Sequence, residues 1–282
     1  MPLAVNGSTK LHWESTGEGP AVLLIAGQRM TISGWWPTIP VLSQSFRVLA
    51  FDNRDTGQSD HVAWPYSVMQ LADDALAVLD AAGEDQVHVY GIALGGMVAQ
   101  ELALHHPERV RGLVLGATSA GGTGAVLPGP LPMTYFARAG TMGAEEAEWA
   151  AVPYTYGETT RRLHADRIAE NIAQRMVTPT NTLAYLHHTA AAAAHNAFDR
   201  LSRITAPTLV VHGEQDVVVP AANGVLLAER IPGARLRLWP RAGHLYIVDE
   251  PRADREIARF LRRHSGPSSA PVLRARSGPV AA

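Results

Sequence analysis

The sequence predicts an α/β fold: a mostly parallel central sheet flanked by helices, with an all-helical segment inserted after the sixth strand. Three observations carry this. Apolar runs of strand length alternate with helical segments from Ala21 to Gly116 and again from Thr208 to His264, the rhythm of parallel strands joined by helical crossovers. One strand, starting near Gln86, drives straight into a helix through the turn Gly91-Ile92-Ala93-Leu94-Gly95-Gly96. The stretch 120–200 holds no convincing strand and is rich in Ala and aromatic residues. The expected division is a core of residues 1–119 and 201–264 and a helical lid of residues 120–200 over the sheet's carboxyl edge. A flexible tail, rich in Ser, Pro, Gly and Ala, is expected over residues 265–282.

Each element follows from local chemistry. Residues Pro2 to Trp13 form short alternating segments about Asn6-Gly7, a hairpin signal because this dipeptide tolerates the backbone of a tight turn. Glu18-Gly19-Pro20 turns the chain into Ala21 to Ala26, a continuous apolar run typical of a strand buried on both faces. Ser33 is placed to cap a short helix holding Trp35 and Trp36, and Phe46 to Phe51 reads as the next strand. Ser67-x-x-Gln70 fits a capping box opening a helix over Val68 to Ala82. After the glycine turn a helix runs from Gly95 to His106 and stops at Pro107, and Val110 to Gly116 is another buried strand. Beyond the insertion, Thr208 to His212 is a strand, followed by Gly213-Glu214-Gln215-Asp216 and a helix after Pro220. Arg235 to Trp239 is the last strand, and a closing helix runs from Asp249 to about His264.

Composition narrows the function classes. With 282 residues, 46% hydrophobic and 18% charged, the chain reads as an ordinary globular protein. A formal net charge of −2 gives no support for nucleic-acid or acidic-membrane partners. The absence of cysteine excludes disulfides, thiolate metal sites and a Cys nucleophile. No apolar run approaches a membrane span, and the start of the chain lacks a basic region followed by an apolar one. A cytoplasmic location is the resulting expectation.

The strand, Gly-x-X-x-Gly turn and helix together form a nucleophile elbow. Glycines two residues either side of the centre permit a sharp turn that exposes the central side chain above the sheet. At that centre, where a hydrolase needs a serine hydroxyl, the sequence has Ala93. The elbow is one of four ordered markers. The others are the loop after Ile25, the turn Asp52-x-Arg54-x-x-Gly57-x-Ser59, and the late Asp216 and His244. Over residues 20–264 the chain resembles the α/β-hydrolase fold superfamily. Its Asn-Arg-Asp-Thr-Gly turn and its helix Gly-Gly-Met-Val-Ala-Gln-Glu-Leu-Ala are similar to those of enol-lactonase and polyketide methylesterase-like serine hydrolases.

The resemblance implies a role for each marker. His244 is the expected general base, since an imidazole with a solution pKa near ~6.5 can take and return a proton near neutrality. Asp216 would orient that imidazole and stabilise its cation; Glu214 is a weaker rival. An oxyanion hole would come from the backbone N–H groups of Leu94 and Gln28. Ala26-Gly27 stands before Gln28 where many relatives carry His-Gly. Asp52, Arg54 and Asp55 read as structural. His105 and His106 close a helix, and His187, His188 and His195 read as pocket lining or exposed, with no set of metal ligands. Trp35, Trp36, Met97, Tyr154 and Tyr246 are candidates to line an apolar cleft.

A methyl group cannot attack a carbonyl, so three readings stay open. Ala93 replaces a serine in an engineered, inactivated ester or lactone hydrolase that keeps the rest of its machinery and still binds substrate. Alternatively, His244 and Asp216 act as a base without a covalent intermediate, in a cyclisation, elimination or decarboxylation. The third reading is a small-molecule binding protein on a retired hydrolase fold. The expected partner is a small, mainly apolar ester or lactone. No cofactor is implied, and oligomeric state is not readable.

Overall fold

The computed structural model describes residues 2–266; the tail expectation lies, past Gly266, outside them. β1 (Leu3–Asn6) and β2 (Thr9–Thr16) form the hairpin expected at Asn6-Gly7, with Asn6 opposite Thr9 and Gly7 at φ 60° in the turn. β3 (Ala21–Ile25), β4 (Arg47–Phe51), β5 (Val87–Ile92), β6 (Val110–Gly116), β7 (Thr208–Gly213) and β8 (Arg235–Trp239) complete an eight-stranded sheet. Its order is β1-β2-β4-β3-β5-β6-β7-β8. Only the β1–β2 and β2–β4 pairs are antiparallel. From β4 to β8 every pairing is parallel, so these strands end on one carboxyl edge.

Two apolar layers cover the two faces. β3 shows why its sequence is uniformly apolar: Leu23 and Ile25 point into one layer, Val22 and Leu24 into the other. The first layer is filled from α2 (Val68–Ala82) and α3 (Leu94–His105) by Leu71, Val78, Val98 and Leu102. The second is filled from α1 (Ile39–Leu42), α10 (Tyr246–Asp249) and α11 (Ala253–Arg263) by Leu42, Ile247, Ile257 and Leu261. α2 carries the capping box as read from its sequence, with Ser67 Oγ accepting from the Gln70 N–H, and closes at Gly83 with φ 72°.

Five helices lie between β6 and β7: α4 (Pro130–Ala139), α5 (Ala144–Thr155), α6 (Glu158–Leu163), α7 (Ala165–Arg175) and α8 (Thr182–Ala194). The insertion leaves and re-enters the core at one place. There the Ala197 N–H donates to Ala120 O at 2.8 Å and the Gly122 N–H to His195 O at 3.0 Å. α9 (Ala222–Arg230) follows β7. Among the described residues no helix is long and apolar enough to cross a membrane.

Two local expectations need correction. Ser33 does not cap a helix: it lies inside a 3-10 turn, Ile32–Trp35, and its hydroxyl donates to Gln174 O in the insertion. The closing helix begins at Ala253 rather than Asp249, because Pro251 pushes Glu250 to extended backbone at φ −126°, ψ 90°, and Asp249 instead ends the separate short helix α10.

Candidate active site

The sharp turn between β5 and α3 is built as its glycines demand. Ala93 sits at φ 52°, ψ −116°, a conformation that L residues rarely hold, and its N–H donates to Gly116 O at 2.9 Å. A Cβ at Gly91 would collide with the Gly95 carbonyl, and one at Gly95 with the Ile25 carbonyl. Both glycines are therefore required by close backbone approach. Ala93 remains partly exposed, while Leu94 and Met97 beside it are buried. As the first residue of α3, Leu94 has no carbonyl one turn earlier in the helix to receive its N–H. The N–H of Gln28, in the loop after β3, finds no acceptor among the described residues. Gly27 packs beside the turn, so a Cβ there would come within 3.3 Å of the Ala93 Cβ.

Asp216 and His244 leave the carboxyl ends of β7 and β8, two and three strands from β5. Their loops are fastened together: the Glu214 N–H donates to Trp239 O at 3.0 Å and the Gln215 N–H to Ala242 O at 2.9 Å. His244 Nδ1 lies 2.8 Å from Asp216 Oδ2. The other oxygen, Oδ1, accepts from the Val218 and Val219 N–H groups at 2.9 Å each. Burial pushes the Asp216 carboxyl up. The His244 charge and hydrogen bonds from His212 and His244 outweigh it and hold the group below the usual carboxylate range. An ionised Asp216 only accepts, so His244 donates to it from Nδ1, and in the neutral ring Nε2 is the acceptor. Glu214, the rival carboxylate, is exposed.

Several supporting residues escape sequence reading. His212 Nε2 lies 3.2 Å from Asp216 Oδ2 and 2.8 Å from Val219 O. Its spacing of four from Asp216 is the only hint the sequence offers. Asp249 Oδ2 accepts from the Gly243 and Gly157 N–H groups at 2.7 and 2.8 Å, tying the histidine loop to the α5–α6 joint. Nothing local to Asp249 signals that bond. The turn 52–59 is structural, as expected. Asp52 accepts from the Ile32 and Gln58 N–H groups, Asn53 Nδ2 donates to Ala26 O, and Arg54 forks onto Asp74 at 2.6 Å twice.

The expected cleft liners divide. Trp35 and Tyr246 are fully buried in the apolar layer beneath the sheet. Trp35 packs on Tyr90 with centroids 5.1 Å apart, and the Tyr246 hydroxyl bonds to that of Tyr90 at 2.7 Å. Both are core residues, because a 3-10 turn and α10 turn them inward. Met97 packs in the opposite apolar layer, next to the elbow. Trp36 Nε1 donates to Asn171 Oδ1 on α7 at 3.0 Å, and Tyr154 stacks on Tyr135 within the insertion. His187, His188 and His195 are buried rather than exposed. His187 lies 2.9 Å from Asp55, His195 lies 3.3 Å from Glu101, and burial pulls His188 down to about 4. Among the described residues no group of side chains could hold a metal ion.

Comparison with known proteins agrees with this architecture. A family model described as alpha/beta hydrolase fold matches residues 20–251. A putative carbamate hydrolase RutD from Azorhizobium caulinodans is 33% identical over 258 residues, 89% of this chain and 94% of that protein. The crystal structure of the enol-lactonase from Burkholderia xenovorans LB400 superposes with a TM-score of 0.82 at 26% identity, covering 93% of this chain and 100% of the other. Est816, described as an N-acyl homoserine lactone degrading enzyme, is similar at 33% identity and a TM-score of 0.75, covering 93% and 99%. The chain belongs to the alpha/beta hydrolase fold family.

Proposed function

We propose that this chain is a carboxylic ester or lactone hydrolase in architecture, with Ala93 at the nucleophile position. In the chain as written it binds a small, mainly apolar ester or lactone without forming an acyl-enzyme. The observation that carries this reading is the pairing of His244 Nδ1 with Asp216 at 2.8 Å, at the same sheet edge as the elbow. With a serine at position 93, His244 Nε2 would take the hydroxyl proton and return it to the leaving alkoxide. The Gln28 and Leu94 N–H groups would receive the carbonyl oxygen as it gains charge. The helical insertion acts as the lid that supplies the apolar walls. The carbamate, enol-lactone and homoserine-lactone chemistry in the relatives' names supports an acyl-type substrate.

The test compares Ala93→Ser with the chain as written on short p-nitrophenyl esters and a lactone panel. Efficient turnover and fluorophosphonate labelling are expected only in the serine form. In serine hydrolases lacking a triad member, roughly 10³–10⁴-fold catalysis over water can persist, so weak residual activity without labelling fits the proposal. A serine form that is inert and takes no label refutes it. Efficient turnover by the Ala93 form, abolished by His244→Ala, would instead assign the His244–Asp216 pair to a non-covalent reaction.

A further inference from the structure

The loop carrying the Gln28 N–H is held at its two ends by the core. Asn53 Nδ2 donates to Ala26 O at 3.0 Å, and Asp52 Oδ1 accepts from the Ile32 N–H at 2.9 Å. Between these anchors the side-chain bonds run the other way, into the insertion. Gln28 Nε2 donates to Tyr185 O at 2.9 Å and to Thr189 Oγ1 at 2.6 Å, both on α8. Arg29 reaches α5, where its guanidinium donates to Ala144 O at 3.2 Å and lies 3.0 Å from Glu148 Oε1. The same guanidinium sits over the Tyr185 ring, 5.7 Å from its centroid. Glu148 also accepts from Arg175 of α7 at 2.7 and 3.2 Å. Burial pushes the Glu148 carboxyl up, but Arg175 and Arg29 together hold it below its ordinary value, so the cluster is ionised.

From these contacts we infer that Arg29 and the Gln28 side chain are positioning groups through which the insertion fixes the Gln28 main-chain N–H. The inference rests on the hydrolase reading above, in which that N–H is an oxyanion donor. The reason is geometric. Gln28 is the donor's own residue and Arg29 adjoins it at φ 59°, a strained backbone that persists only where surrounding contacts over-determine it. Side-chain bonds on both residues fix the peptides either side of the donor. α5 and α8 thus set the hole from above, as the elbow sets it from below. Loss of either tether lets the donor drift without removing it.

Thr189→Val and Arg29→Met, each placed in the Ala93→Ser protein, test this. Thr189→Val removes one acceptor of Gln28 without disturbing a charge, so it keeps the test decisive should Arg29→Met fail to fold. Kinetics on a p-nitrophenyl ester, inhibition by a trifluoromethyl ketone of matched acyl chain, and hydrogen exchange across residues 27–31 are measured together. A fall in kcat of about tenfold for Thr189→Val and up to ~100-fold for Arg29→Met is expected, with KM within about threefold. Ketone affinity should weaken by the same factor as kcat/KM, and exchange at 27–31 should quicken. Arg29→Lys, which keeps a cation for Glu148, should recover part of kcat. A rise in KM with kcat intact, or faster exchange with unchanged kcat, overturns the positioning role. If Ala93→Ser alone is inert, the hydrolase reading fails. Exchange at 27–31 in the chain as written then judges the tether by itself, and exchange unaltered by either substitution removes it.

Discussion

Ala93 occupies backbone that suits glycine, at φ 52° and ψ −116°, and it does so without a side chain that can do chemistry. An L residue there costs on the order of 1–3 kcal/mol, against ~0.5–1 kcal/mol for the extra freedom glycine loses on folding. Ala93→Gly should therefore raise stability by about 1 kcal/mol in urea unfolding; a loss of stability would show that the turn is not strained. Asp216 is the second residue on which the site turns. In the Ala93→Ser protein, Asp216→Asn should lower kcat by roughly 10⁴-fold, because the amide presents the wrong partner to His244 Nδ1. A drop of less than tenfold would place the orienting role elsewhere. The Asp216 carboxyl is depressed in the folded state, so its contribution to stability is present above its unfolded value and lost as pH falls through the folded one.

At the scale of elements, the α3 entry depends on backbone proximity more than on helix chemistry. A Cβ at Gly95 would meet the Ile25 and Ala26 main chain, and neither strand nor helix can yield cheaply. Gly95→Ala should cost about 3 kcal/mol in chemical denaturation; a cost below ~1 kcal/mol would mean that β3 moves aside. α2 behaves oppositely, since its start is set by a local cap. Ser67→Ala removes the bond to the Gln70 N–H and should cost about 1 kcal/mol, leaving the elbow untouched. Caps and apolar periodicity are short-range, which is why α2 appears in the sequence with its observed bounds. The start of α11 was less legible: Pro251 marks it, yet the expected closing helix starts at Asp249 and α10 is not anticipated.

Across the whole molecule, one buried carboxyl ties the closing helix to the start of α1. Asp254 of α11 accepts from Thr38 Oγ1 at 2.8 Å, and burial pushes its pKa up to about 7 despite that bond. A carboxyl that binds its proton more tightly when folded favours the native state below the unfolded pKa near 3.8. That advantage drains away as pH rises from there to about 7, and is flat above. Stability should fall by up to ~1.4 kcal/mol per pH unit within this window. Asp254→Asn should flatten the profile, as read by urea unfolding between pH 4 and 8; an unchanged slope would assign it to another group.

The sequence alone was enough for the order of the strands, the place of the helical insertion, the glycine turn with alanine at its centre, and the choice of Asp216 and His244 as a candidate pair, which the fold brings to 2.8 Å. These rest on short-range chemistry, namely apolar period, caps, breakers and residues next to strand ends. Only the tertiary structure decided which aromatic side chains are core, that His187 and His195 bond carboxylates of the core, and that Gln28 and Arg29 are tied to helices more than a hundred residues away. Such contacts depend on how the insertion lies across the sheet, and no local pattern encodes a partner at that separation. The elbow itself shows the boundary. Its shape is written in five consecutive residues, while the groups that surround it come from β3, β7, β8 and the insertion.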